Sequence, residues 1–312
     1  MKINAIQYTP QISNIHNKRH YNNSVQNDIF IRTEPISFGK KKTRVEMAKD
    51  FAKDVKKYYF DEEFDLKGIQ KVAQKGVKGL VVKDYRELDT ADREALKTFM
   101  GALLSGFSYD EKKQQVTSNL LEIYLKNPDE NTDIDRVGYF ANCVHEYTHA
   151  LQQTDKDFSD VAVLNRLLRK SNASPEVKDR TITYIGDFAL EAERRIKEPI
   201  RNAEMDLDKQ FLYTVSQPKI SKIYENEGIK DIKKFAVSEI KNLIPEFEEH
   251  YGEMDKQMLL AYTITHLQKE NEAYQADYDA HIRMNSKYAN KSAYWNVNAI
   301  VQLYRVLADI KV

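Results

Sequence analysis

The sequence predicts an α+β protein, predominantly helical, with a small sheet in its first half and a helical second half. Three observations carry this reading. Apolar residues recur at helical spacing through most of the chain after residue 158. Short β-branched and aromatic runs are confined to the part before residue 126. The charged share is 31% against 41% hydrophobic, which suits helices with wide solvated faces.

At 312 residues the chain can bury a large core in one domain or two small ones. Up to about Thr43 it is rich in asparagine, glutamine, isoleucine and serine and has no helical period. Such a stretch buries too little apolar surface to offset its ordering entropy, so residues 1–43 read as a disordered leader. The run Lys40-Lys41-Lys42 near its end reads as a solvated linker. Residues 44–312 read as one domain, a sheet-containing part (44–155) followed by a helical part (156–312).

The elements follow in order. Val45, Phe51, Val55, Tyr58 and Tyr59 mark a first helix, and a short second helix covers Leu66 to Gln74. Gly79 to Tyr85 reads as a strand and Ala91 to Leu104 as a helix, broken by Ser105-Gly106-Phe107. Val116 to Leu125 fits helix or strand, and its β-branched and aromatic residues favour strand. Asn127-Pro128-Asp129-Glu130-Asn131 is a turn. A helix then starts after Asp133 or Asp135, with Val137, Phe140, Val144, Thr148 and Leu151 as its apolar stripe. Val177 to Asp206, Lys256 to Met284 and Ala293 to Ile310 are the long helices of the second half.

Lysine plus arginine and aspartate plus glutamate number 48 each, so the basic excess typical of a nucleic-acid binder is missing. The single cysteine, Cys143, rules out an intrachain disulfide. Two residues before His145 it points to another face, and it reads as a small buried residue in place of a nucleophile. No apolar stretch of about 18 residues exists for a membrane span, and the first ten residues have no apolar core for a signal peptide. The cytoplasm is the default location, with export by a route needing no such signal left open. The oligomeric state is not legible. Ten glycines leave little room for a phosphate-cradling loop.

The chemistry concentrates in His145-Glu146-Tyr147-Thr148-His149. Residues four apart on a helix share a face, so both imidazoles can hold one zinc ion. Glu146 is rotated by about a hundred degrees, which sets a carboxylate beside the metal as a general base for its bound water. A catalytic zinc needs a third protein ligand. Asp155 has the spacing of a ligand supplied by a tight turn, but Gln152 stands where that turn needs glycine. Glu191 is another acidic candidate. Downstream, Glu270 has Ala273 at i+3 and Glu272 has Ala276 at i+4, small residues that allow a helix to approach the metal. His266 lies one turn before Glu270, as a ligand or a partner to one. Tyr262, Tyr274 and His281 are candidate oxyanion donors.

Val144 to Gln152 resembles the zinc-binding helix of the gluzincin metallopeptidases, and Glu270 to Tyr274 is similar to their glutamate-bearing helix. The matches span some twenty residues of 312. The resemblance implies a zincin-like domain with His145, His149 and Glu270 as zinc ligands and Glu146 as the base. It also implies a peptide or protein substrate, paired with an edge strand that Val116 to Leu125 would supply. Many gluzincins carry an aspartate four residues after the ligand glutamate; Tyr274 stands there, and Asp277 is the possible substitute. The sequence expectation is therefore a zinc metallopeptidase. The alternatives are a zinc hydrolase of a non-peptide substrate, and a non-catalytic interaction protein with a structural or inactive site.

Overall fold

The computed structural model describes residues 3–8, 42–60, 63–88, 90, 93, 101–128, 136–206, 217–283 and 291–311. The fold is α+β and predominantly helical. Strand β1 (Ile3–Tyr8) comes first, then helices α1 (Arg44–Val55), α2 (Lys57–Phe60) and α3 (Leu66–Gly76), followed by strands β2 (Val81–Asp84), β3 (Gly101–Asp110) and β4 (Gln115–Leu125). The rest is helical: α4 (Arg136–Gln153), α5 (Asp160–Lys170), α6 (Pro175–Asp206), α7 (Gln217–Asn226), α8 (Ile232–Tyr251), α9 (Lys256–Arg283) and α10 (Lys291–Leu307).

Local chemistry sets several of these boundaries. Thr43 caps α1 through its side chain, while Glu46 reaches back to the Thr43 backbone N–H at 2.7 Å, which satisfies two otherwise orphaned donors. Asp65, Ser159 and Asp231 cap α3, α5 and α8 through the side chain alone, each accepting from a first-turn backbone N–H. No helix among the described residues is long and apolar enough to cross a membrane.

The sheet has four strands in the order β1-β3-β4-β2. β1 and β4 run antiparallel to β3, whereas β2 lies parallel to the last four residues of β4. Three expectations change here. Residues 3–8, assigned to a disordered leader, form β1, because pairing with β3 satisfies their backbone groups without a core-forming side-chain pattern. Of the rest of that expectation, residues 1–2 and 9–41 lie outside the described residues, and Lys42 and Thr43 lead directly into α1. Gly101 to Leu104, expected to end a helix, open β3, and Ser105-Gly106-Phe107 continue it through a bulge. Ala91, Asp92 and residues 94–100 of the expected helix lie outside the described residues. Finally, Val116 to Leu125 form a strand, but β4 is interior, between β3 and β2.

β3 was misread because both of its faces are covered. Residues 101–108 are all buried, so polar and apolar positions do not alternate. Leu103 and Phe107 enter the main core on one face; Ala102 and Leu104 pack with Tyr85, Leu88 and Tyr124 on the other. The main core is continuous from Ala48 in α1 to Ile310 after α10 and includes side chains of β3, β4, α4, α6 and α9. Helix α4 runs through it, touching β3 and β4 on one side and α1 and α9 on others, which buries nearly every residue from Val137 to Gln152.

Candidate metal centre

His145 and His149 project from successive turns of α4, and Glu270 meets them from the middle of α9. The two Nε2 atoms are 3.1 Å apart. Glu270 Oε1 lies 3.2 Å from His149 Nε2, and Oε2 lies 3.6 Å from His145 Nε2. Donors about 2.0–2.2 Å from a tetrahedral zinc stand about 3.3–3.6 Å from one another; the separations here come within a few tenths of an ångström of that range, and two imidazoles with a carboxylate are a donor set that could hold such an ion. The three residues are at most 4% exposed.

The tautomer of His149 follows from its neighbour. Gln152 Nε2 donates to the Lys269 carbonyl at 2.9 Å and to Glu272 Oε2 at 3.1 Å, which orients the amide. Its Oε1 therefore faces His149 Nδ1, at 2.9 Å, as an acceptor. Nδ1 carries the proton, and the Nε2 lone pair is left facing His145 and Glu270. His145 Nδ1, by contrast, is buried with no hydrogen-bond partner among the described residues, and Asp277 Oδ2 stands 3.9 Å away. Burial, helped by the neighbouring His149, lowers the His145 pKa to about 4, so this imidazole is neutral at pH 7, the form that ligates metal.

Glu146 is fully buried and held at both oxygens. The Leu103 backbone N–H of β3 donates to Oε2 at 2.9 Å, and Asn142 Nδ2, one turn earlier on α4, donates to Oε1 at 3.3 Å. Burial first, and then the nearby Glu270, push its pKa well above the ordinary carboxylate range. The approach of β3 to α4 depends on Gly101, where a Cβ would meet Asn142 Oδ1 at 2.6 Å and the Tyr124 carbonyl at 3.0 Å.

The other ligand candidates are engaged elsewhere. Asp155 pairs with Arg44, and the same guanidinium binds Glu272 through two contacts of 2.7 Å. Glu191 pairs with Arg194 at 2.7 Å and Arg195 at 3.0 Å. His266 Nε2 lies 2.6 Å from Glu193 Oε2. That pair and Glu270 form a second group of close donors, but Lys197 Nζ is 2.6 Å from Glu193 Oε1, and the Tyr304 hydroxyl donates to the same oxygen. A buried ammonium already balances that carboxylate, so the group is satisfied as an ion pair.

Of the oxyanion candidates, Tyr262 donates to Asp160 at 3.0 Å and is occupied there. Tyr274 sets its ring edge-on to His145, centroids 4.5 Å apart, and stacks on Tyr304. His281 lies 3.3 Å from Asp277. Cys143 is 1% exposed, and burial pushes its thiol up to about 12. Sequence reasoning missed the roles of Gln152, Asn142 and the Leu103 amide. For the two side chains a signal existed: each lies three or four residues from a motif residue on the same helix.

No protein-family model matches this chain, and no curated protein or solved structure matches it.

Proposed function

We propose that this chain is a zinc-dependent hydrolase that cleaves peptide bonds, with His145, His149 and Glu270 as the zinc ligands and Glu146 as the general base. The observation that carries the reading is the convergence of two imidazoles 3.1 Å apart on one carboxylate, whose oxygens lie 3.2 Å and 3.6 Å from them, with a second carboxylate fixed beside them on the same helix as the imidazoles. A zinc ion there would polarise a carbonyl and bring a bound water to a pKa of about 7. Glu146, ionised where the positive charge of the metal offsets its burial, would accept a proton at its carboxylate and return it to the leaving nitrogen. Its two hydrogen bonds hold the carboxylate in one orientation for both transfers. Gln152 keeps His149 in the tautomer that presents Nε2.

One observation favours a second reading. His149 and Glu146 are 0% exposed, and structural zinc sites are closed whereas catalytic ones keep an open position. A structural zinc would make Glu146 dispensable for any reaction. The Glu146→Gln variant separates the readings: it should retain zinc while hydrolysis of an unfolded protein falls by about 10²–10⁴-fold, the range for loss of a general base. Metal loss in this variant would show that Glu146 is a ligand and overturn the assignment of roles.

A further inference from the structure

We propose that β1 is a displaceable occupant of the sheet edge beside Glu146, and that the chain thereby holds its own site closed. This inference rests on the hydrolase reading above. β3 has one side paired with β4 along its whole length, Gly101 to Asp110. Its other side is the outer edge of the β3-β4-β2 sheet, and β1 takes it in antiparallel register from Ile3 opposite Ser108 to Tyr8 opposite Leu103. The register ends where the site begins, because the Leu103 N–H is the group that donates to Glu146.

Two features make β1 an occupant and not a structural strand. Its pairing is entirely with β3, while β3, β4 and β2 keep their own ladders without it. It is distant in sequence from β3, and besides that ladder it lies against α6. And an edge with unpaired N–H and C=O groups binds extended chain in general, so a segment of this protein and an incoming peptide compete for the same hydrogen bonds. The burial of His149 and Glu146 in the present conformation is what a closed state requires. The Lys40-Lys41-Lys42 run lies between β1 and α1, where a single cut would sever the strand from the rest of the chain.

Two zinc-loaded proteins test this: the full chain and a variant lacking residues 2–9. The probe is a fluorescein-labelled peptide of the sequence Met1–Pro10, read by anisotropy, alongside hydrolysis of an unfolded protein. If β1 leaves the edge free in a tenth of molecules or fewer, removing it raises peptide binding and hydrolysis on the order of tenfold or more. Full-length Ile6→Pro, which removes a backbone donor in mid-strand, should move both readouts in the same direction. Equal hydrolysis by both proteins, with no peptide binding to the truncated one, would overturn the proposal and leave the hydrolase reading intact. Peptide binding to the truncated protein alone, with no hydrolysis by any form, would support the edge exchange and sink the hydrolase reading instead. Failure of the truncated protein to fold, seen as lost helical circular dichroism, would make β1 a structural strand and also overturn the proposal.

Discussion

At His149 the chemistry turns on which ring nitrogen carries the proton. The Gln152 amide is oriented by the Lys269 carbonyl and by Glu272, so its oxygen accepts from Nδ1 and the Nε2 lone pair faces the other two donors. Replacing Gln152 with leucine keeps the volume similar and removes that acceptor. The expected result is a loss of about 10–100-fold in zinc affinity, the usual effect of deleting a partner of a metal-ligating histidine. Competition with a chromogenic chelator measures it, and an unchanged affinity would show that Gln152 only fills space. The histidine spacing and the intervening glutamate were legible in the sequence, because i,i+4 geometry is local to one helix. Gln152 was in view only as the residue standing where a turn would need glycine. Its function depends on a carbonyl from α9, 117 positions away, which no local pattern encodes.

At the scale of elements, long amphipathic helices and short strands were readable where one face is polar. α3, α6 and β4 fall close to their expected places, and so does α9, which is covered on all sides from Met258 to His281 and was marked by its length. β3 was not readable, since α4 covers one face and a second apolar cluster covers the other, which erases the alternation. β1 was not readable because a strand held by main-chain bonds to a distant partner needs no amphipathic signature. The same β3–α4 contact gives a test of the element's role. Gly101→Ala would bring a Cβ within 2.6 Å of Asn142 Oδ1 and 3.0 Å of a backbone carbonyl. Overpacking of this kind costs about 1–3 kcal/mol, read as a lower urea midpoint with unchanged slope. A midpoint equal to that of the unaltered protein would mean that β3 and α4 can separate freely and that Leu103 does not fix Glu146.

For the whole molecule, the central question is how α9 comes to lie across α4. The continuous core explains it: Leu151, Ala273, Tyr274 and Ala276 are all buried, and the small side chains at 273 and 276 allow two backbones to approach. Arg44 of α1 ties the same region together by pairing with Glu272 of α9 and with Asp155 beyond α4. This arrangement commits Glu272 and Asp155 to the guanidinium and leaves Glu270 to complete the donor set, a choice that the sequence left among several acidic residues. Metal content of the purified protein, equilibrated with zinc and then desalted, tests it most directly. Stoichiometric zinc is expected in the unaltered chain, in Glu272→Ala and in Glu146→Gln, with little or none in His149→Ala and Glu270→Ala. Zinc retained at full occupancy by folded Glu270→Ala, or absent from the unaltered chain, would contradict the account.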